Sequence, residues 1–218
     1  MSCAICETRK EKRFCPAVHG RICPTCCGTE REVTLDCPSD CVYLQQARRY
    51  ERPRQVADVE PAELFAQVNI SEDLPYRREP LIVGLSQVMA EIARRDRTIR
   101  DRDLIAALTG LAKSYETLVN AGLVYEAPMA SPVQHGIAGE LDKGIQEYRD
   151  LEAKQAGHST LRDSEVLQVV VFLLRLALSR SNGRARARAF IDFLFAQFPQ
   201  KESLITGPEE ARSRLILP

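Results

Sequence analysis

The chain has no tryptophan, its aromatic residues make up 6% of 218, and none of its eight cysteines lies beyond residue 41. Each of these scarcities excludes something. With only Phe14 and Tyr43 near the cysteines, stacking of single-stranded bases has few platforms. A cysteine-free stretch from residue 42 onward does not fit a secreted disulfide scaffold, whose bridges spread through the ordered chain. The 30 basic and 30 acidic side chains cancel to a formal charge of zero, so the whole-protein basic field of a non-specific nucleic-acid binder is missing. The longest apolar stretch, Val166 to Leu178, is interrupted by Gln168 and Arg175 and is too short to span a bilayer. The start Met-Ser-Cys-Ala-Ile-Cys lacks the charged onset and apolar run of a signal peptide. A cytoplasmic protein without membrane contact is therefore expected. There is no phosphate loop, nucleophile elbow, dinucleotide fingerprint or zinc-protease helix motif, so the sequence predicts a non-enzymatic role. His135 and His158 stand alone near proline or glycine and read as loop or helix-end residues rather than bases.

What is present is concentrated at the N-terminus. The order is Cys3-x2-Cys6, Cys15-x3-His19, Cys23-x2-Cys26-Cys27 and Cys37-x3-Cys41. Thiolates this close in sequence can reach one tetrahedral Zn2+, and a segment too short for an apolar core can fold around such ions. In a reducing compartment clustered thiols are metal ligands rather than disulfides. Two closed sites need eight ligands, and Cys3, Cys6, Cys15, His19, Cys23, Cys26, Cys27, Cys37 and Cys41 offer nine. If Cys27 closes the third pair, four pairs suggest a cross-brace. Cys3, Cys6, Cys23 and Cys27 then hold one zinc, and Cys15, His19, Cys37 and Cys41 hold the other. Two alternatives stay open: Cys26 serves as the ligand with Cys27 spare, or His19 is dropped and all eight cysteines bind. Two zinc ions are the expected cofactor, and their role is structural, since no carboxylate stands at a spacing diagnostic of a catalytic zinc.

Basic residues crowd the same segment: Arg9, Lys10, Lys12, Arg13 and Arg21. Because a four-thiolate zinc site carries a net charge of about minus two, nearby cations read as compensation. The second basic stretch holds Arg180, Arg184, Arg186 and Arg188 with no acid before Asp192. It reads as a solvated, carboxylate-paired helix face, or alternatively as a grip for phosphate at a helix start. Lys10, Lys12, Arg13, Arg184, Arg186 and Arg188 are the residues through which nucleic acid would bind.

After Cys41 the pattern is helical. Val42, Tyr43, Leu44, Ala47 and Tyr50 suggest a short helix behind Ser39 as a cap. Residues 51–79 hold Pro53, Pro61 and Pro75 and read as a linker able to carry one short helix near Pro61 to Val68. From Pro80 five helical segments follow. The first has the stripe Leu81, Leu85, Val88, Met89 and Ile92. The second opens at a capping box of Thr98 with Asp101, carries Leu104, Leu108, Leu111, Tyr115 and Leu118, and stops at Gly122. The third opens at Ser131-Pro132 with Val133, Ile137, Leu141, Ile145 and Tyr148 facing inward. The fourth, Asp163 to Arg180, is apolar nearly all round and should be central, with Arg175 snorkelling outward. The fifth carries Phe190, Phe193, Leu194, Phe195 and Phe198 up to Pro199.

The paired cysteine spacing resembles the treble-clef-like and cross-braced zinc fingers of the MYND, HIT and B-box types. The strings Phe14-Cys15-Pro16-Ala17, Gly20-Arg21-Ile22-Cys23-Pro24, Cys26-Cys27-Gly28 and Asp36-Cys37-Pro38-Ser39-Asp40-Cys41 are also similar to an uncharacterised bacterial family with such a finger ahead of a helical region. The vicinal Cys26-Cys27 and the closing cysteine pair, where those fingers commonly place histidine, depart from their pattern. The resemblance implies protein recognition and no known activity.

The expected fold class is mainly α: a small irregular zinc-binding module over residues 1–50, a linker over 51–79, and an all-α bundle of about five helices over 80–218. The expected function is that of an adaptor or regulator with a protein partner, homo-oligomerisation being compatible with it. The alternatives are a nucleic-acid-associated zinc-finger protein and a thiol-based redox or zinc-responsive switch.

Overall fold

Apolar residues at helical spacing have to bury one stripe each, and in the computed structural model, which describes residues 1–51 and 64–199, they do so in a mainly helical fold behind a small cysteine-rich module. The module contains a two-stranded antiparallel hairpin, β1 (Arg13–Cys15) and β2 (Gly20–Ile22), and two helices, α1 (Pro24–Thr29) and α2 (Val42–Tyr50). The bundle contains α3 (Leu74–Arg77), α4 (Glu79–Arg95), α5 (Asp101–Ala121), α6 (Pro132–Ala156), α7 (Asp163–Arg180) and α8 (Ala189–Gln197).

α7 is the centre of the bundle. Val166, Val169, Val170, Val171, Leu173, Leu174 and Ala177 are all fully buried, and its main neighbour is α5. α6 lies against α4 and α5, while α8 closes one side against α4 and α7. Leu81, Leu85, Met89, Leu104, Leu108, Ile137, Leu141, Ile145 and Phe190 complete the core. Val133, expected inward, is exposed. It lies in the first turn of α6, where Pro132 and the cap at Ser131 fix the chain direction before packing begins.

The helix ends differ from expectation in instructive ways. Gly122 ends α5 in the left-handed region at φ 67°, and Ser131 caps α6 through Gln134 N–H, both as the residue types predict. α5, however, starts at Asp101 rather than at Thr98, because Thr98 turns back to hydrogen-bond Asp96 while Asp103 accepts the N–H of Arg100. The carboxylate of Asp101 is freed for another helix: it is fully buried and accepts from the N–H groups of Phe190 and Ile191, both at 3.1 Å, so it caps α8 across the bundle.

Arg175 does not reach for solvent. Its guanidinium donates to the carbonyls of Leu64, Phe65 and Val68 at 2.8 to 2.9 Å, closing the turn at residues 64–68 onto α7. Leu64, Phe65 and Leu74 join the bundle core, so residues 64–79 pack as part of the bundle. Of the short helix expected near Pro61 to Val68, the first part lies outside the described residues and residues 64–67 form turns. The extension of the bundle to residue 218 lies beyond residue 199 and is likewise outside them.

Arg78, buried at the start of α4, ties three elements together. It donates to Glu152 at 2.8 Å, to Glu165 at 2.7 Å and to the Thr160 carbonyl at 3.0 Å. Burial alone would raise the Glu152 carboxyl, but hydrogen bonds from the Ser159 hydroxyl and Thr160 N–H, with Arg78 alongside, outweigh it and hold Glu152 at about 2. A carboxyl depressed below its ordinary value of 4.5 contributes stability that is present above that value and is lost as pH falls toward about 2. Urea midpoints should therefore show Glu152→Gln less stable than wild type at pH 7, the gap narrowing as pH drops below about 4.5. A gap that stays constant across that window would separate Glu152 from the effect.

Candidate metal centre

The first thirty residues contain too little apolar material to hold themselves together. The buried cluster of the module has seven residues, and five of them are cysteines: Cys3, Cys15, Cys23, Cys26 and Cys27, joined by Ile22 and Leu35. Chain geometry brings four thiols to one point. The Cys3–Cys6 knuckle is bent by Glu7, which sits at φ 54° and returns its N–H to the Cys3 carbonyl at 2.8 Å. Its other strand connection, Cys3 N–H to the Arg9 carbonyl at 2.8 Å, closes the loop. The knuckle is laid on the hairpin by Ala4 N–H donating to the Arg21 carbonyl at 3.0 Å. Cys23 follows β2 as the N-cap of α1, and Cys26 is one helical turn later.

The sulfurs of Cys3, Cys6, Cys23 and Cys26 lie within 4.8 Å of one another, and this group can hold a metal ion. The surroundings favour thiolates. Cys3 Sγ accepts from Cys23 N–H at 3.1 Å and Ile5 N–H at 3.5 Å, and Cys23 Sγ from Cys26 N–H at 3.4 Å. Hydrogen bonds from the Thr8 side chain and from the backbone of Arg9 and Thr8 bring Cys6 down to about 5. The Cys26 N–H bond likewise lowers Cys23. Cys26 goes the other way, pushed up to about 12 by burial and by the neighbouring Cys23, Cys6 and Cys3 thiols. Four thiols crowded together cannot all ionise unless a cation replaces their protons, and a bound divalent metal does that. Arg9, held beside Cys23 and Cys6, adds positive charge outside the cluster.

Of the nine candidate ligands, then, Cys26 rather than Cys27 completes the set with Cys3, Cys6 and Cys23. His19 is exposed at the tip of the hairpin at φ 49° and takes no place in this cluster. Cys15, Cys27, Cys37 and Cys41 are grouped elsewhere, around a separate small pocket. Ser39, expected to cap α2, instead donates to Asp192 of the bundle at 2.6 Å, and Cys41 takes the N-cap position.

A second signal was not readable from spacing: the latch that docks the module. Glu32 is 1% exposed and held at φ 54°. Its carboxylate takes Arg48 at 2.7 Å and Asn182 at 2.8 Å, and its carbonyl accepts Arg186 N–H at 2.8 Å. Arg48 bridges on to Asp192 at 2.6 Å. Asp36 binds Arg100 at 2.5 Å and Arg186 at 2.8 Å, and Arg184 reaches Glu51 at 3.2 Å and the Arg31 carbonyl at 3.0 Å. Arg188 points to the carbonyls of Arg97 and Ile99 at 2.6 and 3.0 Å. The arginines singled out as a phosphate grip are thus engaged inside the molecule, while Lys10 and Lys12 are exposed and Arg13 leans on the Tyr43 ring at 4.6 Å. Among the described residues, the hydrogen bonds and ion pairs between module and bundle all start from residues 31–51.

Compared with known proteins, the chain matches no family model, no curated protein and no solved structure. What these findings and the geometry establish is a metal-capable four-cysteine cluster at the N-terminus of a mainly helical fold, in which no described helix is long and apolar enough to cross a membrane.

Two outcomes follow. His19→Ala should leave bound metal unchanged by elemental analysis, whereas Cys6→Ser should lower it. Glu32→Ala leaves Arg48 and Asn182 facing a buried gap. It should cost about 3 kcal/mol in chemical denaturation and raise amide exchange across residues 31–41, with Glu32→Gln costing less.

Proposed function

We propose that this chain is a zinc-stabilised recognition protein, a cytoplasmic adaptor or regulator rather than a catalyst. The observation that carries the reading is the division of labour within the module. Among the described residues, 31–51 make the polar contacts to the bundle, whereas residues 1–30 are built on thiols, make none of those contacts and keep Phe14 56% exposed, with further apolar side chains in solvent at the two ends of α2, Val42 and Tyr50. Zinc suits a buried, redox-neutral four-thiolate set, and a closed set leaves no coordination position for a reacting water. The finger type implied by the MYND, HIT and B-box resemblance agrees with recognition. The bundle offers a second surface: Leu123 and Val124 after α5 are exposed at 63% and 95%. Exposed aromatics and large aliphatics are what protein interfaces use as anchors.

The test uses the full-length, zinc-loaded chain, with partners captured by cross-linking from a cytoplasmic extract and the cross-link sites mapped. Cross-links should fall on residues 1–30, and Phe14→Asp should lose the partner by ~10-fold or more while retaining its metal. Retention on DNA or RNA that falls steeply with salt, unchanged by Phe14→Asp, would replace this reading with the nucleic-acid one.

A further inference from the structure

We propose that Cys15, Cys27, Cys37 and Cys41 form a second zinc site, distinct in its ligands from the Cys3 centre; the proposal rests on the zinc reading of that first centre. The vicinal cysteines explain the arrangement. Successive residues on a helix point about 100° apart, so Cys26 and Cys27 are directed to different sides: Cys26 joins the Cys3 knuckle, and Cys27 turns away from it. There it lines a small, mostly enclosed pocket with Cys15, Cys37 and Cys41, walled by Ile22 and Leu44. The four come from four pieces of chain: the end of β1, the middle of α1, the loop after Leu35, and the N-cap of α2. That interleaving, with the first centre taking the knuckle and the start of α1, is a cross-brace.

The surroundings of the pocket fit an anionic thiolate cluster. Cys15 and Cys27 are 7% and 8% exposed. Arg13 and Arg31 each bring a guanidinium to 3.6 Å from Cys27 Sγ, two cations on one sulfur. A zinc bound by four thiolates carries a net charge of about minus two, which two arginines offset. Cys41 sits at the start of a nine-residue helix without a side-chain cap bond, where the free N–H groups favour negative charge. The sulfurs of this set are more widely spread than the first four, which alone among the described residues lie within 4.8 Å of one another. An ion bound there draws the four sulfurs together.

The site also has a place in the architecture. It joins Cys37 to the hairpin next to Asp36, which pairs with Arg100 and Arg186 of the bundle. An ion there fixes the face of the module that docks.

Zinc per chain measured on full-length protein purified under reducing conditions, then freed of loose metal, decides the matter. Two equivalents are expected for wild type and for His19→Ala, and one for Cys27→Ser and for Cys37→Ser. A single equivalent in wild type that Cys27→Ser retains overturns the second site and leaves the first. No zinc at all overturns the underlying reading with it. Should the serine variants fail to fold, Co2+ titration of wild-type apo-protein gives the same answer: thiolate-to-cobalt absorption rising through two equivalents supports the site, and saturation at one overturns it. An intact mass showing a disulfide among these four cysteines under the same reducing conditions also overturns it.

Discussion

Convergence of the sulfurs of Cys3, Cys6, Cys23 and Cys26 is the constraint on which the N-terminal architecture depends. Without it, residues 1–30 have only Ile22 as a fully buried aliphatic side chain, and a hairpin of three-residue strands is too short to persist unaided. The cluster therefore substitutes for a core. It fixes where the Cys3 knuckle lies on the hairpin, where α1 begins, and hence which way Cys27 and the loop through Leu35 leave the helix. A metal ion held by four thiolates, as zinc is in small fingers, supplies apparent binding free energies on the order of 10 kcal/mol, far more than one buried isoleucine can contribute.

A second constraint transmits that local order to the bundle. Glu32 sits in the left-handed region, which a residue with a Cβ adopts at a cost of about 1 kcal/mol. The strain is offset because this backbone geometry brings one residue into contact with three groups at once: Arg48, Asn182 and the N–H of Arg186. A buried carboxylate is tolerable only when so surrounded. The latch is made by residues 31–51 and the Cys3 cluster by residues 3–26, so folding of the cysteine cluster and docking of the module use different residues.

Much of the helical architecture was legible because it rests on periodicity. The span Asp163 to Arg180 reads as a central helix from its composition and is one, and Gly122 and Ser131 announce the ends that they form. Positions where a side chain serves a remote partner escaped. Thr98 and Asp101 have capping-box spacing, yet Asp101 caps α8 because Phe190 and Ile191 N–H groups arrive there from 89 and 90 residues away. Arg175 reads as a snorkelling cation on an apolar helix, yet three carbonyls of residues 64–68 claim it. In the module, spacing narrowed the ligands to nine candidates but could not choose between Cys26 and Cys27. The choice depends on which side of a short helix faces the knuckle, and that is a tertiary fact.

The zero net charge takes on a different meaning once the seam is seen. It is not a bland average over a solvated surface, since Arg48, Arg100, Arg184 and Arg186 meet Asp192, Asp36 and Glu51 across the junction of module and bundle. Opposite charges placed in one seam orient two docked pieces, because a rotated or slipped arrangement would leave several of them unpaired away from water. The same pairing engages Arg184 and Arg186 within the molecule. Charge in this chain thus sets the geometry between its two parts.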